Sequence, residues 1–314
     1  MMIGIDTYGG LKTQNQNGSI DWSKMKTRGL SYGIIRAAFG TEPDSQFSEN
    51  WALMKKAGVV RGAYLFLRFP FKQIGSSKPP SPKMQAEAVC KIVGPLEPPD
   101  YPISLDVEFP GEGQPGTGMT KKQLLGGVLE AWNILRDKYG VAPVIYTSAR
   151  VWFDDLGNPA VPPAVIESPL WLARYAFDPG TAVLEADKVM YPPVPPPWAG
   201  TDPKSIIYRG MPYSNDNWFL HQYMGDAKVP SIISLGFPKG DIDLNRMRPI
   251  AKGATGEKVR WVQRRLGLPK TKVDGKFGPV TDTAVRRMQE VKPDLVADGI
   301  VGPRTFAYLC WMNP

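Results

Sequence analysis

An α/β fold, closed into an irregular (β/α) barrel and followed by a small all-α three-helix domain, is predicted by three features of this sequence. Short apolar strands alternate with amphipathic helices through the first 248 residues. No Gly-x-Gly-x-x-Gly turn accompanies them, so the alternation does not read as a dinucleotide-binding sheet. Residues 249–314 carry a turn-and-helix repeat instead. A length of 314 residues, 42 % of them hydrophobic, is enough for a full core and more than one domain. The expected division is 1–248 and 249–314.

Strands are expected, in order, at "MIGID" (2–6), "YGIIRAAF" (32–39), "RGAYLFL" (61–67), "PISLDVE" (102–108), "APVIYT" (142–147), "PLWLARY" (169–175) and "NWFLHQY" (217–223). Helical patterns lie between them at 45–57, 82–93 and 120–139. In the last of these, Thr120 can cap the N-terminus. Leu124, Val128, Ala131, Leu135 and Tyr139 keep helical spacing, and Gly140 ends it. Residues 178–216 break the alternation with "MYPPVPPPWAG". Prolines this dense exclude helix and central strand and predict a stiff polyproline II loop, either a lid on the rim or an inert insertion.

In the tail, "VDGKFGP" (273–279) and "VADGIVGP" (296–303) share Asp-Gly-x-apolar-Gly-Pro, with Asp274 and Asp298 24 positions apart. Asp-Gly supplies a turn, and Gly-Pro opens a helix with proline in its first turn. The helices "VTDTAVRRMQEV" and "RTFAYLCWM" follow the two repeats. A third, "GEKVRWVQRRLGL", precedes them with Val259, Val262 and Leu266 facing inward. A module of this size can fold alone if tightly packed.

Composition removes several classes of chemistry. One histidine, His221, rules out a His-rich zinc site and leaves a Ser-His-Asp triad only through that residue. Cys90 and Cys310 give no disulfide framework. No run approaches a membrane span, and "MMIGIDTYGG" has neither a basic n-region nor a long apolar h-region, so synthesis in a reducing cytosol without a signal peptide is expected. Residues 249–314 hold 12 Lys/Arg against 6 Asp/Glu, net +6, whereas the first 248 hold 26 against 24. A basic tail beside a nearly neutral domain points to a polyanion, either nucleic acid or an acidic wall polymer, or to a solvated surface.

The chemistry is expected from carboxylates. In "YPISLDVEFP" (101–110), Tyr101, Ile103, Leu105 and Val107 alternate with the rest, and Asp106 and Glu108 fall on one face, roughly 6.5–7 Å apart along a strand. Such a pair can cleave a glycosidic bond, hold a divalent cation, or pair with Lys/Arg on the rim. The rim's other residues favour the first reading. In a barrel the strand ends Asp6, Arg36, Tyr64, Phe66, Tyr146, Tyr175, Gln222 and Tyr223 share the mouth where active sites are built. Asp6 ends the first strand, and Asp241 and Asp243 in "GDIDLNR" are expected to end the last, which in a closed barrel is its neighbour. Crowded carboxylates raise one another's pKa, as a general acid near neutrality requires. Tyr64, Phe66, Tyr146, Trp171 and Tyr175 can stack on sugar rings or pack the core.

"GIDTYGG", "GSIDWSKMK", "YGIIRAAFG", "RGAYLF", "ISLDVE", "PVIYTS", "LWLARY", "HQY" and "IDLNR", in that order, resemble glycoside hydrolase family 25, the Chalaropsis-type lysozymes. The tail resembles the peptidoglycan-binding three-helix domain. The resemblance implies an N-acetylmuramidase that cuts the β-1,4 bond after N-acetylmuramic acid and uses no metal or cofactor. Glu108 would be the general acid. Asp106 would stabilise the oxocarbenium-like transition state or orient the substrate's N-acetyl group, and Asp6 and Asp243 would position substrate. Asp243 is chosen over Asp241 because it precedes Leu-Asn in the family's way, and His221 stands where an aromatic residue is usual. The expected arrangement is that of a phage endolysin: made in the host cytoplasm, released through a holin-type pore, and acting on peptidoglycan and anionic wall polymers, with no nucleic acid and no stable membrane insertion. A chitinase-like N-acetylglucosaminidase and a non-catalytic wall-binding protein are the alternatives.

Overall fold

The computed structural model describes residues 2–8, 20–70, 79–109, 118–174, 218–227 and 242–312. The proline-rich stretch 178–216 lies outside them, as do Tyr175 and Asp241. Among the described residues there are nine strands: β1 (Met2–Thr7), β2 (Leu30–Phe39), β3 (Glu42–Pro43), β4 (Val60–Phe66), β5 (Ser104–Asp106), β6 (Val144–Ser148), β7 (Leu170–Ala173), β8 (Trp218–Ala227) and β9 (Ile242–Met247). All but β3 close into a ring, β1-β2-β4-β5-β6-β7-β8-β9 and back to β1, while β3 pairs only with the end of β2. The expected barrel is therefore an eight-stranded one.

Neighbours from β1 round to β8 are parallel, and β9 runs antiparallel to both β8 and β1. That reversal matters for the site. Asp243 stands near the start of its strand rather than at its end, yet it pairs in register with Asp6 because β9 enters from the rim where the parallel strands finish.

Period two sorts the side chains. Ile35, Ala63, Leu65, Leu105, Ile145, Leu172 and Leu244 face outward into a buried layer beneath α1 (Trp22–Thr27), α2 (Phe47–Ala57), α3 (Pro82–Val93) and α4 (Lys121–Tyr139). The alternate set, including Ile34, Tyr64, Val144, Tyr146, Trp171 and Leu220, fills the barrel. Gly4 belongs to this inward set because a Cβ there would stand 2.1 Å from the Tyr32 ring, which occupies the space. Helix α4 starts as its sequence requires: Thr120 and Gln123 form a reciprocal capping box, and Gly140 ends the helix at φ 72°.

After a short α5 (Pro163–Ile166), the tail supplies α6 (Glu257–Arg265), α7 (Pro279–Glu290) and α8 (Pro303–Cys310). The sequence repeat is also a repeat of hydrogen bonds. Buried Gln263 donates to Asp274 (2.8 Å) and Thr281 (3.0 Å) and accepts from Gly275 N, and Gln289 does the same with Asp298 (3.0 Å), Thr305 (3.1 Å) and Gly299 N. Gly275 and Gly299 take φ 74° and 73°, which explains the Asp-Gly pairs.

Helices α6 and α8 dock on the mouth where the parallel strands begin. Phe306 stacks on Phe219 with centroids 4.8 Å apart and meets Tyr101 edge-on at 5.5 Å. Trp261, Arg304 and Trp311 donate to the carbonyls of Glu167 (2.9 Å), Gly58 (2.8 Å) and Asp100 (2.7 Å), just ahead of β7, β4 and β5. The tail's apolar core and the barrel's interior are thus one continuous cluster.

Candidate active site

At the opposite mouth lies a cavity of about 420 Å³. Asp6 from β1, Arg36 from β2, Tyr64 and Phe66 from β4, Asp106 and Glu108 at and beyond the end of β5, Tyr146 from β6, Trp171 from β7, Gln222 from β8 and Asp243 from β9 all line it. These are the sequence-predicted residues, with two exceptions. Tyr175 falls outside the described residues. Tyr223 is a correction: it is fully buried in the outer layer, 5.9 Å beneath the Arg246 guanidinium, because the residue after inward-facing Gln222 must point the other way.

The four acids differ in their partners. Asp6 Oδ1 accepts from Asn245 Nδ2 (2.6 Å) and Gln222 Nε2 (2.9 Å), and the same Nε2 reaches Asp243 Oδ2 at 3.2 Å. Burial nevertheless pushes Asp6 up to about 6, against those hydrogen bonds and with added repulsion from Glu108. Asp106 is raised well above the ordinary carboxylate range by burial first, then by the charges of Glu108 and Asp6. Its Oδ1 is buried with no hydrogen-bond partner among the described residues. Burial also raises Glu108, opposed by its hydrogen bond with Tyr146 and by Arg150.

Among the described residues, Arg36 is the one cation in the lining. It is already paired with Asp44 at 3.0 Å and lies 4.5 Å beneath the Tyr8 ring. With so little positive charge beside them, Asp6 and Asp106 are each pushed further up by the charge of Glu108. No three of them are spaced to hold a metal ion among the described residues.

Three residues escaped the sequence reading. Tyr8 and Phe39 line the cleft, and Asn245 bonds Asp6. Counting by twos finds Tyr8 from Asp6 and Asn245 from Asp243. Phe39 is hidden from that count by the irregularity between Arg36 and Ala38. His221 belongs to the outer layer, not to the cleft. Its ring accepts from Arg246 Nε (2.9 Å) and contacts the Arg174 carbonyl (2.8 Å), and burial drives its pKa down to about 3.

The profile of glycosyl hydrolases family 25 matches residues 13–232, and that of a peptidoglycan binding domain matches residues 255–309. Lysozyme M1 of Streptomyces globisporus is 27% identical over 246 residues, which is 77% of this chain and 68% of that protein. The crystal structure of a bacterial lysozyme from Streptomyces coelicolor superposes with a TM-score of 0.53 at 25% identity, covering 79% of this chain and 92% of its own. A muramidase from Acremonium alcalophilum shares the fold, with a TM-score of 0.51 at 21% identity over 79% of this chain and 94% of its own.

Proposed function

The chain belongs to glycosyl hydrolases family 25, and we propose that it is a muramidase cutting the β-1,4 bond between N-acetylmuramic acid and N-acetylglucosamine in bacterial peptidoglycan. The observation that carries the mechanism is the pair of buried Asp106 and half-buried Glu108 in the lining of an aromatic-walled cleft. Glu108, kept protonated, delivers its proton to the departing glycosidic oxygen. Asp106, in the lining of the cleft and with a buried oxygen that has no hydrogen-bond partner among the described residues, stabilises the positive charge that develops on the sugar or orients the N-acetyl group. Asp6 and Asp243, bridged by Gln222, hold the substrate and keep the cluster short of full ionisation. Half-exposed Tyr8, with Phe39 and Phe66, offers faces on which sugar rings stack.

The tail, taken as 249–314, holds the enzyme on peptidoglycan. Its net charge of +6 favours anionic wall polymers as well, and binding should weaken as salt screens it. Peptidoglycan lies outside the cytoplasmic membrane. The biological role that fits is that of a bacteriolytic phage endolysin, released from the host cytoplasm through a holin-type pore.

Digestion of purified peptidoglycan, borohydride reduction and mass spectrometry test the activity. Reduced muramic acid ends from the wild type and none from Glu108→Gln are expected. Reduced glucosamine ends would move the chain to the glucosaminidases, and binding without cleavage would leave a wall-binding protein.

A further inference from the structure

Two arginines of the barrel are paired with buried aspartates in different ways. Arg61 closes on Asp100 as a fork, Nε to Oδ1 at 2.7 Å and Nη2 to Oδ2 at 2.6 Å. Its Nη1 donates to the Trp51 carbonyl at 3.0 Å, so every nitrogen of that guanidinium is committed. Arg36 in the cleft is not closed off. Its Nε and Nη2 both reach one oxygen, Asp44 Oδ2, at 3.0 Å, while Asp44 Oδ1 accepts from the Gln46 backbone N–H at 3.0 Å. Arg36 Nη1 has no hydrogen-bond partner among the described residues and keeps accessible surface. The Asp44 side chain is 1% exposed and that of Arg36 12%, so the pair is sealed on the Asp44 side and open on the side that lines the cleft.

Two rings hold the guanidinium in place: its carbon lies 4.5 Å from the Tyr8 centroid and 5.5 Å from that of Phe39. The cation is thus fixed by one edge and two aromatic faces, with its other edge left for a ligand. Asp6, Asp106, Glu108 and Asp243 share the lining, so a ligand with a negative charge is repelled everywhere in the cleft except here. A muramyl residue differs from a glucosamine by a lactyl ether ending in a carboxyl, which is free or extended by a peptide with carboxylates of its own. We propose that the open edge of Arg36 binds a carboxylate carried by the muramyl residue, and so selects muramyl strands over uncharged glucosamine strands. This rests on the muramidase reading and names the substrate feature that the β2 side of the cleft recognises.

Arg36 has a competing role, because its charge also favours the ionised form of Asp106. The two roles separate cleanly. A guanidinium that served Asp106 alone would act on every substrate alike, and chiefly on kcat. One that binds a carboxylate discriminates among ligands before any chemistry takes place.

The test is calorimetric binding to the full-length chain carrying Glu108→Gln, so that the ligand is not consumed. The probes are soluble peptidoglycan glycan fragments with and without peptide stems, each also in a form whose carboxylates are capped as methylamides. The carboxylate form should bind about 10–100-fold more tightly than its capped twin, as a hydrogen bond to a charged group implies. Adding Arg36→Gln should erase that preference. Erasure on stem-free fragments identifies the lactyl carboxylate as the ligand, and erasure on stemmed fragments alone identifies a peptide carboxylate. Arg36→Gln leaves buried Asp44 without its cation, so Arg36→Gln/Asp44→Asn, which removes both charges, is measured beside it. No preference in the parent chain, or a preference that survives in a folded variant, overturns the proposal. If the wild type cleaves no peptidoglycan, the muramidase reading fails, while the binding preference still reports on Arg36.

Discussion

The two mouths of the barrel are made by the same strands and have opposite chemistry. Where the parallel strands end, four acids crowd a cleft whose lining cation is already paired. Where they begin, Phe306 and Trp261 of the tail close over Phe219 and Tyr101, and indole and guanidinium groups satisfy the carbonyls that precede the strands. Buried carboxylates cost stability, and a sealed aromatic mouth contributes it. The difference teaches that the tail has a structural task besides the one its family match implies: it completes the core on which the cleft stands.

The largest expected effect tests the cleft. Glu108→Gln keeps the shape and removes the proton, so kcat should fall by about 10²–10⁴-fold, the usual contribution of general acid catalysis. Stability should hold or rise, because a buried ionisable group is gone. Denaturant unfolding alongside turnover separates the two. A variant that loses stability instead would make Glu108 part of the scaffold.

The sealed mouth should answer in the opposite way. Phe306 is fully buried, and Phe306→Ala should cost about 3–5 kcal/mol by leaving a cavity between tail and barrel. At a temperature where the variant is folded, kcat/KM should stay within a few-fold of wild type. Unfolding of the wild type should be a single transition covering both parts. Two separate transitions would return the tail to the status of a tethered module.

Asp6→Asn sharpens the comparison through pH. The folded-state pKa of Asp6 is about 6 against 3.8 for an ordinary Asp, so between those values the native state binds a proton the unfolded chain has lost. Stability therefore falls as pH rises through that window. The asparagine variant should be more stable at pH 7 by something on the order of 2–3 kcal/mol, with the difference vanishing below about pH 4. Buried His221 acts with the other sign. Its folded pKa of about 3 against 6.5 means stability is lost as pH falls below 6.5, so the wild-type profile is flattened and the difference between proteins is the quantity to measure.

Much of this was legible in the sequence, and the failures have physical causes. Their position at strand ends in a closed barrel placed Asp6, Arg36, Tyr64, Phe66, Asp106, Tyr146, Trp171 and Gln222 on one rim, and all of them line the cleft. Strand ends alone misplaced Tyr223, since adjacent strand residues cannot both face inward. Asp243 was read as ending a strand because nothing in "GDIDLNR" announces that β9 runs backwards. The docking of the tail was illegible for a different reason. Trp261 and Phe306 look like ordinary core positions of a small helical module, and only the tertiary fold shows that their neighbours are Phe219 and Tyr101.

The smallest expected effect asks whether the sealed mouth is coupled to the cleft. Trp311 Nε1 donates to the Asp100 carbonyl at 2.7 Å, and its ring meets Tyr139 edge-on at 6.5 Å. Asp100 itself is anchored by a buried ion pair with Arg61 at 2.6 Å, directly ahead of β5, the strand that carries Asp106. Trp311→Phe keeps an aromatic ring and deletes one hydrogen bond, so the loss should be about 1 kcal/mol. If the two mouths are mechanically separate, kcat/KM and its pH limbs should not move. A shift of the alkaline limb at so small a cost in stability would mean that the start of β5 transmits strain to Asp106 and Glu108, and the tail would then tune the acid as well as seal the barrel.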